Sequence, residues 1–194
     1  MAFPKMIESV FGIIPARGGS KRLPGKNLKK LAGMSLLERT ISQAKKALPV
    51  SVVTTEDTQI TLEALRCGLH VLRRPDSLAT DSATSEDVIN HAVNAYMSFK
   101  WFCLLQPTSP LRTVNDIQEC VKWAIRENRS VVSVCDGRRN GAVYVGRTLT
   151  IPNLYFADAM YYEMPYERSI DIDTQEDFDE AERILNATEI RATP

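Results

Sequence analysis

Short apolar runs and amphipathic stretches alternate along most of the chain. Val10–Pro15 is a continuous apolar run, which is typical of a strand that is buried on both faces of a parallel sheet. Ser35–Leu48 instead places its apolar residues at helical spacing. Because the alternation continues towards the C-terminus, the pattern predicts βαβ units, a mostly parallel sheet and right-handed crossovers.

The remaining predicted elements follow the same two patterns. Further strands are predicted at residues 51–55, 70–72, 101–106, 130–135, 141–145 and 169–173. Further helices are predicted at residues 58–67, 84–96, 114–127 and 174–185, and residues 151–168 are predicted to be irregular. Gly68 is expected to close the first of these helices and Thr174 to cap the last. We interpret residues 1–194 as a single α/β domain and expect a frayed tail from about residue 187 to residue 194.

Composition and charge exclude several classes of partner. The 24 lysines and arginines balance the 24 aspartates and glutamates of the 194-residue chain, so no net field attracts nucleic acid or a membrane surface. No segment approaches the roughly 20 apolar residues of a membrane span, and the N-terminus lacks the apolar stretch of a signal peptide. The four cysteines form no C-x-x-C pair, which indicates reduced thiols. We therefore expect a soluble, cytoplasmic protein that binds neither nucleic acid nor a membrane.

A loop rich in glycine and cations follows the first strand. This opening loop, PARGGSKRLPGKN at residues 15–27, interleaves four cations with three glycines. Glycine lets the backbone approach a phosphate closely, and a local cluster of cations in a neutral protein favours a small anionic ligand. The spacing fits neither a Walker A loop nor a dinucleotide fingerprint. The loop predicts a phosphate site of another design, and a plain basic turn is the alternative.

Two further polar segments lie at predicted strand ends. Gln106 follows a buried run and opens the turn QPTSPLR, where its amide needs a partner such as a base edge; a simple strand terminator is the alternative. Asp171 and Asp173 are two residues apart, so on a strand both carboxylates share a face, and such oxygen donors suit Mg²⁺. The alternative is a polar strand face or a helix start. Because ligands of parallel α/β proteins bind beyond the carboxyl ends of strands, these segments are expected to converge with the opening loop.

Together, seven segments resemble the acylneuraminate cytidylyltransferase family, the CMP-sialic acid synthetases and their relatives. They are IIPARGGSKRLPGKN (13–27), LLERTI (36–41), RRPDSLATDSATS (73–85), LLQPTSPLRT (104–113), SVVSVC (130–135), NGAVYV (140–145) and SIDIDT (169–174). The resemblance implies a Rossmann-like three-layer nucleotidyltransferase fold. It also implies transfer of CMP from CTP to the anomeric hydroxyl of a nine- or eight-carbon 2-keto sugar acid, with Mg²⁺ as cofactor and pyrophosphate as product.

The resemblance further assigns roles to individual residues. It implies that Arg17 and Lys21 hold the triphosphate and form the catalytic set with Asp171, which is also a candidate to deprotonate the sugar hydroxyl. Asp171 and Asp173 match the metal-binding aspartates. The implied nucleotide-binding residues are Ala16, Arg17, Gly18, Ser20, Lys21, Lys26, Asn27, Arg74, Asp81, Ser85 and Gln106. The candidate acceptor-binding residues are Gln106, Ser109, Arg138, Arg139 and Asn140, and a plain turn at Asn140-Gly141 is the alternative for the last of them.

The chain departs from the family between SVVSVC and NGAVYV. Family members usually carry a long segment there, which contributes to the acceptor pocket and forms a dimerisation arm, whereas residues 136–139 alone bridge the two strands here. One hypothesis is a CMP-sugar synthetase whose reduced acceptor site uses Arg138 and Arg139 or the segment Tyr161–Arg168. A second is a transferase for a different, smaller acceptor, and a third is a CTP-binding module without turnover. The short bridge also predicts a monomer, or a dimer that does not use the family's arm.

Overall fold

The structure is a computed structural model that describes residues 7–149 and 155–192, with side chains as far as residue 188. The strands in these ranges are β1 (Val10–Pro15), β2 (Lys30–Leu31), β3 (Met34–Ser35), β4 (Val50–Thr55), β5 (His70–Arg73), β6 (Trp101–Leu104), β7 (Val131–Cys135), β8 (Arg138–Arg147) and β9 (Met160–Glu163). The α-helices are α1 (Leu36–Ala47), α2 (Thr58–Arg66), α3 (Ser85–Ala95), α4 (Val114–Glu127) and α5 (Gln175–Ala192).

Most strands of the described chain belong to one sheet, in the order β5-β4-β1-β6-β8-β7-β9. Neighbouring strands are parallel except around β8, which runs antiparallel between β6 and β7. Strands β2 and β3 form a separate small hairpin. The predicted class, an α/β fold with a mostly parallel sheet, is confirmed.

Both faces of the sheet are covered by apolar side chains, as a parallel sheet requires. On one face, α1, α2 and α4 contribute Ile41, Ile60 and Val121 to a core that includes Ile14 of β1. The other face has its own core, to which α3 contributes Ile89. Since both faces are occupied by protein, the carboxyl edge of the sheet is the place where a ligand can approach several strands at once.

A third, smaller apolar cluster fixes the segments that surround this edge. Leu23 of the opening loop packs there with Phe178 of α5 and with Ile170 and Ile172, which precede that helix. Thr174 caps α5 as predicted, because its hydroxyl accepts a hydrogen bond from the Asp177 amide at 3.2 Å. The cluster and the cap together hold the opening loop close to residues 169–173.

The prediction of a strand at residues 169–173 is wrong. The segment is irregular, and one tie to the neighbouring loop is a hydrogen bond of 2.7 Å from the Ile172 amide to the Thr108 carbonyl. The alternation in its sequence instead reflects packing, because Ile170 and Ile172 are buried in the third cluster while Asp171 and Asp173 face the opposite side. The expectation that both carboxylates share a face therefore holds without a strand.

Other elements differ from the prediction as well. The last helix extends to Ala192 rather than ending near Leu185, so residues 187–192 of the predicted frayed tail are helical, and residues 193–194 lie outside the described residues. Strand β6 ends at Leu104, two residues before the predicted end at Gln106. Strand β9 lies within the stretch predicted to be irregular; it is a four-residue edge strand whose only neighbour in the described sheet is β7, so its pattern is short.

The connection between β7 and β8 is even shorter than predicted. Asp136 and Gly137, with φ of 50° and 70°, form the turn, and β8 already begins at Arg138. Two consecutive residues with positive φ are typical of the tight type I′ hairpin that Asp-Gly favours. Asn140 and Gly141 lie inside β8, where the register with β7 shifts, so the interpretation of this pair as a plain turn is wrong.

Candidate functional site

A cavity of about 610 Å³ opens beyond the carboxyl ends of β1, β5 and β6. Its wall is built from the opening loop, from the segment between β5 and the start of α3, and from the residues that follow β6 together with the two aspartates. The predicted site residues on this wall are Arg17, Ser20, Lys21, Lys26, Asn27, Arg74, Asp81, Ser85, Gln106, Asp171 and Asp173. The structure thus brings together the three segments that were expected to converge.

Two predicted nucleotide-binding residues lie behind this wall rather than on it. Ala16 is fully buried, and its amide donates a hydrogen bond of 3.0 Å to the Thr54 carbonyl. The Gly18 amide donates to Glu56 Oε1 at 2.8 Å. Both residues therefore anchor the opening loop to the end of β4, and neither has its backbone amide directed at the cavity.

The opening loop also folds back on its own start. Asn27 is nearly buried, and its Nδ2 donates to the Arg17 carbonyl at 2.9 Å. Lys26 reaches the acidic segment, where its Nζ donates to the Ile172 carbonyl at 3.0 Å. These contacts, together with the burial of Leu23, tie the end of the loop to its start and to the acidic segment.

The cations of the opening loop are held by two carboxylates of the cavity wall. Asp81 forms salt bridges with Arg17 (Nη1 to Oδ1, 2.8 Å) and with Lys21 (Nζ to Oδ2, 2.5 Å). Asp173 forms salt bridges with Arg22 (Nη2 to Oδ2, 2.6 Å) and with Lys26 (Nζ to Oδ1, 2.8 Å). The hydrogen bonds from Lys21 and Arg17 hold the pKa of the Asp81 carboxyl below its usual range. A phosphate ligand of the loop therefore competes with carboxylates that are already in place.

Asp171 differs from the other two carboxylates because it makes no salt bridge within the described ranges. Desolvation by the cavity wall raises the pKa of the Asp171 carboxyl, a hydrogen bond from Thr108 opposes the rise, and the charge of Asp173 adds to it. Because this environment disfavours the ionised carboxylate, a nearby cation would stabilise it. Asp171 and Asp173 are hard oxygen donors on one wall, so they fit the Mg²⁺ that the sequence implies.

The predicted acceptor-binding residues are not brought together. Gln106 lines the cavity, but Ser109 is fully buried, and its hydroxyl donates to the Asn140 carbonyl at 3.2 Å. Asn140 is committed as well, because Oδ1 accepts from Ser133 at 2.6 Å and Nδ2 donates to Ser169 at 3.0 Å. The structure does not support a direct acceptor contact for Ser109 or Asn140, whose side chains hold β7, β8 and the acidic segment together.

The arginines proposed for the acceptor carboxylate lie outside the cavity wall. Arg138 and Arg139 are exposed at the β7–β8 hairpin, and Arg139 Nη2 donates to the Phe156 carbonyl at 3.2 Å. Arg168 is engaged elsewhere, since Nε and Nη2 donate to the buried Asp116 carboxylate at 3.1 and 3.0 Å. The arginine of the segment Tyr161–Arg168 therefore neutralises a buried carboxylate. Arg138 and Arg139 at the β7–β8 hairpin remain the candidates for the acceptor carboxylate.

Gly141 lies directly beneath two side chains of the cavity. It has a φ of 73°, and a Cβ at this position would stand 2.4 Å from Gln106 Oε1 and 3.5 Å from Asp171 Oδ2. A side chain larger than hydrogen would therefore push Gln106 out of place. Gly141 therefore affects the site through its close approach to Gln106.

Gly141→Ala is expected to lower the free energy of unfolding by about 3 kcal/mol, because it adds a left-handed backbone penalty to overpacking. Gly137→Ala is the matched control: its φ is 70°, but no described atom lies within 4 Å of the added Cβ, so a loss of about 1 kcal/mol is expected. Urea denaturation of both variants measures the difference. Equal losses would mean that the contact with Gln106 is relieved without cost.

Two residues that position the site were not selected from the sequence. Glu56 ties the opening loop to Arg74, and Arg112 ties down the loop that carries Gln106. Glu56 follows a predicted strand directly, so the rule that sites lie at strand ends would have found it. Arg112 belongs to a quoted segment, but a surface arginine and a fully buried one look alike in sequence.

Comparison with known proteins places the cavity in a family context. The family model described as cytidylyltransferase matches residues 11–164. The chain is 31% identical to N-acylneuraminate cytidylyltransferase of Escherichia coli O18:K1:H7, an alignment that covers 90% of this chain and 51% of that protein. It is 38% identical to CMP-N,N'-diacetyllegionaminic acid synthase of Legionella pneumophila, over 64% of this chain and 57% of that protein. The chain thus spans about half the length of the curated relatives it matches.

Solved structures give the same fold at lower identity. CMP:2-keto-3-deoxy-manno-octonic acid synthetase complexed with CTP aligns with a TM-score of 0.72 at 14% identity, over 92% of this chain and 99% of that one. 4-Diphosphocytidyl-2C-methyl-D-erythritol synthase from Anaerococcus prevotii aligns with a TM-score of 0.67 at 16% identity, over 94% and 99%. At these identities the likeness shows the fold alone. In the part of the chain that the structure describes, every helix is too short or too polar to cross a bilayer.

Proposed function

This chain belongs to the cytidylyltransferase family, and from that premise we propose that it transfers CMP from CTP to the anomeric hydroxyl of a nine- or eight-carbon 2-keto sugar acid and releases pyrophosphate. The observation that carries the proposal is the cavity itself, in which a cation-rich loop faces two aspartates and a glutamine at the carboxyl edge of the sheet. Each group has a task in phosphoryl transfer, where positioning and neutralisation of charge supply most of the rate.

The opening loop binds the triphosphate in this proposal. Arg17 and Lys21 leave Asp81 and bind phosphate oxygens, which they neutralise as negative charge builds up on the departing pyrophosphate. Lys26 lies deeper, with a side chain only 15% exposed, next to Asp173. In the proposal, it contacts the phosphates that separate in the reaction.

The two aspartates serve the metal and the acceptor. Asp171 and Asp173 would hold Mg²⁺, which supplies positive charge at the phosphates when bound. Asp171 is also the candidate general base for the sugar hydroxyl. Because desolvation raises the pKa of its carboxyl, it takes up a proton more readily than an ordinary aspartate.

Arg74 and Gln106 are the proposed contacts for the base. The Arg74 side chain is almost completely buried on the cavity wall, and its Nη2 has no hydrogen-bond partner among the described residues. A buried donor without a partner is costly, so a ligand acceptor there, such as the carbonyl oxygen of cytosine, would satisfy it. The Gln106 amide offers both a donor and an acceptor on the same wall.

A second candidate function is binding of CTP without turnover, or transfer to a smaller acceptor. It is favoured by one observation: apart from Gln106, the residues predicted to bind the acceptor stand outside the cavity wall. In the first function, Arg138 or Arg139 at the β7–β8 hairpin would bind the sugar carboxylate from the open side of the cavity. The two functions share the nucleotide site and differ in the acceptor.

One experiment separates these possibilities. With CTP and Mg²⁺ present, we expect a rise in melting temperature, and pyrophosphate release only when a 2-keto sugar acid of eight or nine carbons is added. Lys21→Met is expected to remove both signals, whereas Lys46→Met, a helix substitution away from the cavity wall, leaves them unchanged. Stabilisation by CTP without pyrophosphate from any sugar acid would favour the second function. Absence of stabilisation by CTP would overturn both.

A further inference from the structure

Glu56 occupies a junction between two walls of the cavity. It follows the last residue of β4 directly, and its side chain is only 16% exposed. Its neighbour Asp57 has the separate task of capping α2, where Oδ1 accepts from the Ile60 amide at 2.8 Å. The helix start therefore does not require Glu56, and its buried carboxylate needs another explanation.

The two oxygens of the Glu56 carboxylate bind two different parts of the site. Oε1 accepts a hydrogen bond of 2.8 Å from the Gly18 amide in the opening loop, and Oε2 accepts one of 2.9 Å from Arg74 Nε. The loop reaches this position because residue 18 is glycine: a Cβ there would stand 2.5 Å from Asp57 Oδ2. A single side chain thus fixes the distance between the opening loop and Arg74.

This geometry also determines which atoms of Arg74 remain for a ligand. With Nε held by Glu56, the guanidinium plane is fixed and Nη2 stays buried without a partner in the described chain, in a side chain that lines the cavity. An arginine whose plane is fixed loses less side-chain entropy when a ligand binds.

We propose that Glu56 is a positioning residue that couples the opening loop to Arg74, so that the phosphates and the base of one nucleotide are bound at a fixed spacing. The proposal rests on the proposed function, because it assumes a nucleoside triphosphate in the cavity. Glu56 acts through its two partners and does not touch the ligand. Two fragments of CTP, cytidine and tripolyphosphate, each test one side of the coupling.

Glu56→Gln is the informative substitution because it keeps the shape of the side chain. A carboxylate accepts from both donors, whereas an amide has one accepting oxygen and a nitrogen that donates. Since the Gly18 amide and Arg74 Nε are both donors, the glutamine satisfies only one of them. The variant therefore breaks one of the two ties.

The expected result is a loss of affinity for the whole nucleotide that exceeds the loss for its parts. Calorimetric titration should give a Kd for CTP that rises roughly 10- to 100-fold, the effect of one hydrogen bond to a charged group. The Kd values for cytidine and for tripolyphosphate should each rise as well, but the product of their two fold-changes should be smaller than the fold-change for CTP. The preference for CTP over UTP should fall as well, which loss of overall stability alone would not produce.

Glu63→Gln is the matched control. Glu63 has a similarly buried side chain, 20% exposed, and binds Arg66 Nε at 3.0 Å, but it lies on α2 away from the cavity wall. Its substitution should leave the CTP affinity and the preference for CTP unchanged. If Glu56→Gln fails to fold, Glu56→Asp serves instead, since its shorter carboxylate cannot span both donors.

The possible outcomes test the coupling through Glu56 separately from the proposed function. Unchanged CTP affinity in the Glu56 variant, or equal losses for CTP and for its fragments, would overturn the coupling while wild-type binding of CTP still supports the proposed function. If the wild-type protein binds no CTP, the proposed function fails and this inference fails with it. Non-additive losses in Glu56→Gln combined with Arg74→Lys would support the coupling directly.

Discussion

Asp171→Asn is expected to lower pyrophosphate release in the presence of CTP, Mg²⁺ and acceptor by about 10³-fold, within the range for loss of a general base. Asparagine has the shape of aspartate, but it can neither accept the proton of the sugar hydroxyl nor supply negative charge to a divalent cation. The fold should tolerate the change, because Asp171 makes no salt bridge within the described chain and desolvation, which raises the pKa of its carboxyl, disfavours the charged form.

Asp158→Asn provides the control for this experiment. Asp158 is an exposed aspartate near Arg129, and it does not line the cavity. Its variant should release pyrophosphate at the wild-type rate. Initial rates at saturating CTP, with melting temperatures of both variants, complete the comparison. More than a tenth of the wild-type rate in Asp171→Asn would remove Asp171 from the catalytic set.

Arg112→Met is expected to lower the free energy of unfolding by about 4 kcal/mol, because it removes the hydrogen bonds that a fully buried guanidinium donates to three backbone carbonyls and a hydroxyl. Arg112 is 1% exposed. Its Nη1 donates to the carbonyls of Gln106, Ser109 and Ala142 at 2.7, 3.0 and 3.1 Å, and its Nη2 donates to Thr40 Oγ1 at 3.0 Å. Methionine fills a similar volume but donates no hydrogen bond.

An opposing effect reduces this loss without reversing it. Burial of the guanidinium is itself unfavourable and lowers the pKa of Arg112 to about 10, so removal of the charge recovers some free energy. Replacing a buried charge is neutral or stabilising when its partners are replaced too, but here three backbone carbonyls remain. The loss of these hydrogen bonds therefore decides the sign of the change in stability.

Urea denaturation measures the effect, and Arg126→Met is the control. Arg126 is on the surface of α4 beside Glu127, where removal of an ion pair should change stability by less than about 0.5 kcal/mol. The Arg112 variant should also bind CTP more weakly than the control, since the Gln106 carbonyl is one of the anchored groups. A variant as stable as wild type would mean that the loop after β6 is held by other contacts.

Most of the sheet and the main helices were predictable because these elements follow simple local patterns. Buried strands such as Val10–Pro15 are continuous apolar runs, and the helices carry capping residues such as Thr84 directly before their first turn. The convergence of the site followed from the topology, since a parallel sheet brings the ends of β1 and β6 to one edge. These features depend on residues close together in sequence, or on a general rule of the fold.

The parts that were not predictable depend on contacts between distant residues. Asp171 and Asp173 alternate with isoleucines as a strand would, but a buried cluster and not a ladder sets their direction. Asp173 pairs with Arg22, which lies 151 residues away, and no local pattern announces such a pair. Asn140 resembles a turn residue beside glycine, yet its side chain binds Ser133 and Ser169 inside the sheet.

The carboxylates that hold the cations of the opening loop have a consequence for selectivity. Asp81 and Asp173 together hold four cations, so binding of a phosphate ligand is an exchange of counter-ions and not the filling of an open positive field. A small anion such as inorganic phosphate or sulfate is a single charged group, so it can take the place of one of the two carboxylates at a time. A polyanion with several charged groups can replace both carboxylates at once. The paired carboxylates therefore favour a ligand with several charged groups over a small anion that carries one.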